Sequence, residues 1–288
     1  MAFSIQTNNS SLIALTNFEK ASAELDDVSK VISTGLNISS SEDDSSNFSI
    51  AQGIRGEVKS IDAVIRGINN AKGIAKVAIS GATAVSNLLQ DIRQKVTEGV
   101  NPANTAAQQV LMQNDYASLL QQMRQFMENS EFNGVNILIE TNVPFNTIVG
   151  DVNDVEVLSD LQGRSITLEG QRLDLSYALL LQENISTPAN ASQTLTILLQ
   201  EERRIYNALA SLGSNFRALE QQTKYLEILK DASETGLGNI VDADMARASA
   251  ELTSSQVRKE LAAQTLSVAN QNPQVFLGLF ENQLISTS

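Results

Sequence analysis

The stretch IAQGIRGEVKSIDAVIRGINNAKGIAKVAISGATAVSNLLQDIRQKV, residues 50–96, decides the fold of this chain. Apolar residues recur along it at steps of mostly three, four or seven positions, which is typical of helices that pack side by side over their whole length. The residues in this pattern are Ile50, Ile54, Val58, Ile61, Ile65, Ile68, Ala75, Ala82, Val85, Leu89, Ile92 and Val96. At a rise of about 1.5 Å per residue, one helix of this length measures roughly 70 Å, far longer than an ordinary globular helix.

Four further helical patterns surround this stretch. Gly99 and Pro102 end the first long helix, and the short linker that follows predicts an antiparallel return. A later long helix begins after Pro188, and we interpret Gly236 and Gly238 as its end. The other three predicted helices lie within residues 10–34, at about 104–129 and at roughly 242–271.

Three β-type runs follow the second helix and predict small hairpins. They are VNILIE (135–140), FNTIVG (145–150) and RSITLE (164–169). Five acids and no base between Glu140 and Asp160 predict a solvated, outward-facing surface in this region. The sequence therefore predicts a mainly α fold. We expect an elongated antiparallel rod of coiled-coil-like long helices with small β-hairpins, together with a pair of N- and C-terminal helices.

The composition excludes several classes of function. The 288 residues include 33 acids and 20 bases, a net charge of -13 with no basic cluster, so we expect no nucleic-acid partner. His and Cys are both absent, which removes Ser-His and Cys-His nucleophiles and most transition-metal sites. No stretch approaches the about 18–20 apolar residues of a membrane span, so we expect no membrane insertion. We expect neither an enzyme nor a cofactor.

Two short acidic motifs have ordinary structural interpretations. In the connector SSSEDDSSN (39–47), we interpret Asp43 and Asp44 as acidic caps of the helix that begins near Phe48, rather than as a cation site. The motif DVNDVEV (151–157) superficially resembles a calcium loop. Its third ligand position is Val155 and the turn glycine is missing, so we expect no metal there.

The two ends of the chain are uncharged and only sparsely apolar. Residues 1–18 and 261–280 carry no side-chain charge. The narrow apolar stripe of a terminal helix does not offset the entropy lost when the helix orders, so each end alone should be largely disordered and should order on association. The predicted self-assembly interface consists of Ile5, Leu12, Leu15, Leu25, Val28, Leu252, Leu261, Leu266, Val268, Phe276 and Leu277.

Several motifs resemble those of one family, bacterial flagellin. IQTN (5–8) is similar to the family's I-N-T-N opening, and VISTGLNISSSEDDSSN (31–47) resembles its connector, R-L-S-S-G-x-R-I-x-S-A-x-D-D-A-A-G. EFNGVNIL (131–138) resembles its F-N-G-V/I-x-L turn. The strongest match is GNIVDADMARASAELTSSQVRKELAAQTLSVANQ (238–271), which resembles the carboxyl signature of short alphaproteobacterial flagellins.

This resemblance implies a secreted subunit of the extracellular flagellar filament, polymerised with identical subunits. It implies that terminal segments 1–42 and 237–288 form an inner tube, with rod segments 43–185 and 186–236 outside it and no large outer domains. It also implies export through the flagellar type III channel, with an export chaperone, junction proteins and a cap protein as partners. The alternatives are a hook-filament junction protein, or a surface flagellin homologue with a ligand-binding role.

The chain departs from the family at a patch that an innate immune receptor binds in many flagellins. The family's patch reads L-Q-R-V/I-R-E-L, and the corresponding residues here are Leu89, Gln90, Asp91, Ile92, Arg93, Gln94 and Lys95. Asp91 replaces an arginine and Lys95 a leucine, while Arg93 is retained. Because a charge reversal in an interface commonly costs several kcal/mol, we predict weak or absent receptor activation.

Overall fold

A computed structural model describes the backbone of residues 8–140 and 153–285, and the side chains as far as residue 271. Its elements are α1 (Asn9–Thr34), α2 (Ser45–Gly99), α3 (Ala106–Glu128), β1 (Val155–Leu158), β2 (Ser165–Leu168), α4 (Leu173–Gln182), α5 (Pro188–Val241) and α6 (Met245–Ile285). All five predicted helices are present. The prediction of a mainly α fold with long helices and a small hairpin is confirmed.

The described chain divides into two compact units. The first lies within Met1–Gly56 and Ser233–Ser288, and the second lies within Glu57–Ala232. Each unit has a hydrophobic core of its own. The core of the first unit includes Ile38, Ala51 and Val241, whereas the second holds the larger cluster formed by α2, α3, α4 and α5.

Two rows of α2 side chains form the centre of the second unit. Within each row the residues repeat every seventh position, and all of them are buried. One row is Ile61, Ile68, Ala75, Ala82, Leu89 and Val96, and the other is Val64, Ala71, Ala78, Val85 and Ile92. A matching buried row on α5 consists of Leu198, Ile205, Leu212, Leu219 and Leu226. This is the heptad arrangement of paired helices.

Two ion pairs show that α2 and α5 run antiparallel. Lys230 on α5 contacts Asp62 near the start of α2, at 2.8 Å. Arg93 near the end of α2 contacts Glu202 near the start of α5, at 3.4 Å. Helix α3 also returns antiparallel to α2, as predicted. It begins with a capping box, in which Thr105 and Gln108 each accept the other's backbone N–H.

A tight turn follows α3. Phe132 and Val135 exchange two backbone hydrogen bonds of 3.0 Å. The two residues between them, Asn133 and Gly134, have φ of 50° and 80°. These positive angles are those of the two-residue turn that Asn-Gly favours.

Glycines on α2 allow this segment to approach the helix closely. A Cβ atom at Gly73 would lie 2.8 Å from the Phe132 ring. A Cβ atom at Gly81 would lie only 1.8 Å from the hydroxyl of Ser130. Both glycines therefore make room for the end of α3 and the turn that follows it.

The prediction of a strand at 135–140 is wrong. Ile137 and Leu138 are buried core residues in an irregular segment. Their carbonyl groups accept hydrogen bonds from the backbone of Gln171 (2.6 Å) and Leu173 (2.9 Å), so they bond to the segment before α4 rather than to a ladder. A short apolar run has the same appearance whether it forms a strand or fills a core. The predicted strand at 145–150 lies outside the described residues.

The described hairpin consists of β1 and β2, which pair antiparallel with Val155 opposite Leu168 and Leu158 opposite Ser165. The strand predicted within 164–169 is confirmed as β2. No strand was predicted at β1, which lies inside the acidic stretch interpreted as solvated. Its residues alternate between half-buried valines and exposed side chains, so only one face of this stretch is exposed.

Three helix predictions need correction. Gly236 and Gly238 do not end α5, which continues to Val241 because both glycines keep helical φ and the backbone hydrogen bonds continue to Asp242. Helix α6 extends past the predicted end at 271 to Ile285. Helix α4 was not predicted at all. Its ten residues are too few for a clear period, and they are held by burial of Leu173 and Leu180.

Candidate assembly surface

Helices α1 and α6 pack against each other as an antiparallel pair in the first unit. The Asn8 side-chain amide donates to the carbonyl of Ala269 at 2.8 Å, near the start of α1. Further along, the Arg258 guanidinium donates to Glu24 at 2.6 Å. The prediction that the two ends of the chain are partners is confirmed.

The fully buried positions in the seam of this pair hold small side chains. Ala14 and Ala21 on α1 are buried seven positions apart, and Ala248, Ser255 and Ala269 are buried on α6 at multiples of seven. Half-buried residues lie along the same seam, namely Phe18, Leu25, Val28, Leu252, Ala262 and Leu266. Small residues let two helices approach closely, but each removes little apolar area from water, so the seam contributes little stability.

Several of the larger apolar side chains of the pair face outward. Leu12 on α1 is 59% exposed, and on α6 Leu261 and Val268 are 56% and 60% exposed. At about 100° per residue, Val257, Leu261 and Val268 fall within about 40° of one another on α6. Ile13 and Leu15 add to the exposed apolar surface of α1. So many large apolar side chains facing solvent on one helix pair form an exposed apolar patch, and such patches mark interaction surfaces.

The predicted interface residues fall into three groups. Leu25, Val28, Leu252 and Leu266 lie half-buried in the seam of the pair itself. Leu12, Leu15, Leu261 and Val268 lie on the exposed apolar surface. Ile5 lies outside the described residues, and Phe276 and Leu277 lie on α6 beyond the described side chains. The prediction omitted Ile13, which the heptad spacing does not distinguish from its neighbours.

The connector before α2 is hydrogen-bonded to the short break between α5 and α6. The backbone N–H groups of Asn37 and Ile38 both donate to the carbonyl of Val241, at 2.7 and 3.3 Å. The N–H of Ala243 donates to the carbonyl of Gly35, whose φ of 72° ends α1. The segment that follows α1 and the segment that precedes α6 are therefore hydrogen-bonded to each other.

Asp43 organises the connector. Its carboxylate accepts the Lys30 ammonium at 3.0 Å and the backbone N–H groups of Ser39 and Ser40 at 2.9 Å each. The Lys30 contact, followed by the hydrogen bond from Ser39, holds the pKa of Asp43 well below its usual range. The neighbouring Asp44 accepts the N–H of Asn47 at 3.0 Å, so it caps α2 as predicted, although α2 begins at Ser45. The same prediction is wrong for Asp43, because its carboxylate accepts the N–H groups of connector residues that precede the helix.

The residues of the altered receptor patch lie partly in the core and partly on the surface. Leu89 is a fully buried core residue, whereas Gln90 and Asp91 are exposed. Arg93 extends across to Glu202 on α5. The Lys95 ammonium contacts Glu98 at 3.2 Å and Asp115 at 3.6 Å, and the contact with Glu98 raises the pKa of Lys95.

Two properties of the described residues bear on other functions. No group of three or more Asp, Glu, His or Cys side chains in the described ranges is arranged to hold a metal ion. None of the described helices combines the length and the apolar character needed to cross a bilayer.

Comparison with known sequences identifies the family. The model of the bacterial flagellin N-terminal helical region matches residues 5–143, and that of the C-terminal helical region matches residues 195–280. Flagellin FljM of Caulobacter vibrioides is 30% identical over 278 residues, which cover 96% of this chain and 98% of that protein. Flagellin of Brucella melitensis is 27% identical, covering 96% of this chain and 99% of that protein.

A longer relative and two solved structures are also similar to this chain. Phase 1 flagellin of Salmonella naestved is 27% identical over 67% of this chain but only 36% of that protein. The crystal structure of Bacillus cereus flagellin has a TM-score of 0.50 at 22% identity, over 56% of this chain and 88% of that one. The structure of a putative flagellar hook-associated protein from Vibrio parahaemolyticus has a TM-score of 0.58 at 16% identity, over 69% of this chain and 100% of that one. The two structures share the fold, and the sequence matches show that this chain belongs to the bacterial flagellin family.

Proposed function

We propose that this chain is a structural subunit of a bacterial flagellar filament, self-assembling into a helical tube that serves in swimming. The observation that carries the proposal is the α1–α6 pair, whose fully buried described side chains are all small and which leaves large apolar residues such as Leu12, Leu261 and Val268 facing solvent. A surface of this kind becomes stable when further copies cover it, which links ordering of the ends to association. Nearly full-length similarity to proteins named flagellin supports the same role.

The proposal assigns a different structural role to each segment of the chain. Segments 1–42 and 237–288, which contain α1 and α6, form the inner tube of the filament. Segments 43–185 and 186–236 form the rod outside it, with no large outer domain. This chain covers only 36% of the Salmonella relative, which is much longer. That difference in length supports the proposal that this chain lacks a large outer domain.

The proposal also includes export and assembly partners, and family membership supports it. The chain is secreted through the flagellar type III channel, with an export chaperone, and polymerises outside the cell under a cap protein beyond the junction proteins. The role is structural rather than enzymatic. Immune-receptor activation is weak, because Asp91 places a negative charge where the family has an arginine.

The second candidate is a hook-filament junction protein. The Vibrio structure described as hook-associated has the same fold, and at 16% identity that likeness concerns the fold alone. The full-length matches to flagellins favour the filament. Counting copies per flagellum separates the two candidates, because a junction protein forms a single ring whereas a filament subunit is present along the whole length.

The decisive experiment is polymerisation of the purified chain on seeds or in salt, followed by electron microscopy. We expect filaments from the wild type and none from a chain truncated at residue 260. The double variant Leu12→Ser/Leu261→Ser should keep the helicity of the second unit but raise the critical concentration at least about tenfold. Leu181→Ser, a change at an exposed leucine of α4, serves as the control. Normal filaments from the truncated chain contradict the proposal.

A further inference from the structure

A groove of 1000 Å³ opens in the second unit beside the turn of the hairpin. The turn between β1 and β2 is held over α5 by Gln222, whose side-chain amide donates to the carbonyl of Ser159 at 2.6 Å. The groove is therefore walled by a fixed turn on one side and by α5 on the other. Its shape does not depend on a long unsupported loop.

The floor of the groove combines an aromatic ring, leucines and one free carboxylate. Leu226 is buried beneath it, whereas Tyr225 (57% exposed) and Leu229 line it with apolar surface open to solvent. Glu57 lies at its edge and makes no hydrogen bond or ion pair with any described residue. The other acid in the groove, Asp160, is already paired with Arg164.

These groups suit a lysine side chain on a partner. The aliphatic part of a lysine packs on apolar surface while its ammonium remains at the polar edge. An ammonium is also attracted by the face of an aromatic ring and by a carboxylate. Tyr225 and Leu229 offer the first kind of surface and Glu57 offers the charge.

The same chain carries a face with the complementary charge. Between residues 63 and 90 the sequence contains three bases, Arg66, Lys72 and Lys76, and no acid. Arg66 and Lys76 are exposed and Lys72 is half-buried, and none of the three forms an ion pair within the described residues. Lys72 and Lys76 are four positions apart on α2, so these two lysines lie on one side of the helix and form its basic face. This basic face is unusual in a chain with a net charge of -13.

Glu57 and the basic face cannot meet within one molecule. They lie on the same helix, α2, 15 to 19 residues apart, which corresponds to about 20–30 Å along its axis. We infer that the groove of one copy receives the Lys72–Lys76 face of a second copy. The contact rests on the proposed function. It adds which two surfaces of the second unit meet when one copy binds the next.

The geometry makes this contact heterologous. The two surfaces differ, and each copy carries both, displaced along α2. A contact between unlike surfaces leaves one of each free at the ends, so it continues into an open chain of copies rather than closing a two-fold dimer. The displacement of the two surfaces along the helix also means that neighbouring copies are staggered by a similar distance.

A charge exchange tests the contact. Glu57→Lys and Lys72→Glu/Lys76→Glu should each raise the critical concentration for polymerisation about tenfold, because like charges then face each other. The triple variant that combines them should polymerise like the wild type. Glu57→Lys and Lys72→Glu/Lys76→Glu each change one of the two surfaces, and we call them the single-surface variants. An equimolar mixture of the two should also polymerise, because opposite charges face each other when the two variants alternate. Filament seeds of wild type should not be extended by the triple variant.

Arg203→Glu/Arg217→Glu is the matched control. It changes the net charge as much as the Lys72/Lys76 variant does, at exposed arginines outside the groove and the basic face. Thermal unfolding of each variant checks that the second unit remains folded. Unchanged critical concentrations for both single-surface variants, or failure of the triple variant to recover, overturn the inference. The filament role survives that result, because it is tested separately by the Leu12→Ser/Leu261→Ser variant.

Discussion

Arg93 on α2 extends across to Glu202 on α5, with its Nη1 atom 3.4 Å from Oε2. The Glu202 side chain is only 6% exposed, whereas that of Arg93 is 52% exposed. The arginine therefore neutralises a carboxylate that is otherwise enclosed by the helices. A residue that family resemblance assigns to a receptor patch thus also has a structural role here.

Replacing Arg93 by Ala should destabilise the second unit, because it leaves the buried Glu202 carboxylate unpaired. We expect a loss of about 1–2 kcal/mol in the free energy of unfolding, measured by urea denaturation. Arg124→Ala breaks an exposed pair with Glu128 and should cost less than about 0.5 kcal/mol. The double variant Arg93→Ala/Glu202→Leu should recover stability relative to Arg93→Ala. Equal losses for Arg93→Ala and Arg124→Ala are inconsistent with a structural role for the Arg93 pair.

Gly81→Ala should be destabilising despite the higher helix propensity of alanine. The added Cβ would lie 1.8 Å from the Ser130 hydroxyl, so the end of α3 must move, at a cost of about 1–3 kcal/mol. Gly213→Ala on α5 meets nothing within 4 Å and should stabilise by about 0.5–1 kcal/mol. Thermal unfolding of the two variants distinguishes them by the sign of the shift. A stabilising Gly81→Ala shows that the turn does not press on α2.

In dilute monomer, the backbone amides of the two units should exchange their hydrogens at different rates. The seam of α1 and α6 buries small residues, so their amides should exchange rapidly, whereas amides near Val85 and Ile92 on α2 should be protected. In filaments both sets should be protected, because under the proposed function neighbouring copies cover Leu12, Leu261 and Val268. Slow exchange throughout α1 and α6 in the monomer contradicts the view that these ends order on assembly.

The connector should weaken on acidification. The pKa of Asp43 is held low in the folded protein, so its contribution to stability is fully present above the unfolded value of about 3.9. That contribution is lost as the pH falls towards the lower folded value. We therefore expect the melting temperature of wild-type filaments to exceed that of Asp43→Asn filaments at pH 6, with the difference shrinking below about pH 4. Glu42→Gln, at the exposed neighbouring acid, controls for loss of one charge.

Innate receptor signalling should be weak with this flagellin. Asp91 is exposed where the family has arginine, and Lys95 is engaged by Glu98 and Asp115. A reporter-cell assay should show at least a tenfold weaker response than a receptor-active flagellin, about 1.4 kcal/mol of binding. The double variant Asp91→Arg/Lys95→Leu should increase the response. A full response from the unmodified chain refutes the prediction.

Periodicity in the sequence was sufficient to locate the long helices. Rows such as Ile61, Ile68 and Ala75 repeat at seven positions for many turns, and a signal that long has no competing interpretation. Short segments were harder, since a few residues do not define a period. Residues 135–140 were predicted as a strand and are instead core residues whose carbonyls bond to the segment before α4, while β1 was hidden among acids.

The sequence by itself determined that the chain is mainly helical, that its ends are uncharged and lightly apolar, and that its motifs are those of flagellins. Those properties depend on residue type and spacing along one chain. Only the tertiary structure decided which apolar residues are used within the molecule and which are left outside. Leu25 and Leu12 both belong to the apolar pattern of α1, yet Leu25 lies in the seam with α6 and Leu12 faces solvent. That choice depends on the rotation of one helix against the other, which is set by the close packing of Ala14 and Ala21 against α6.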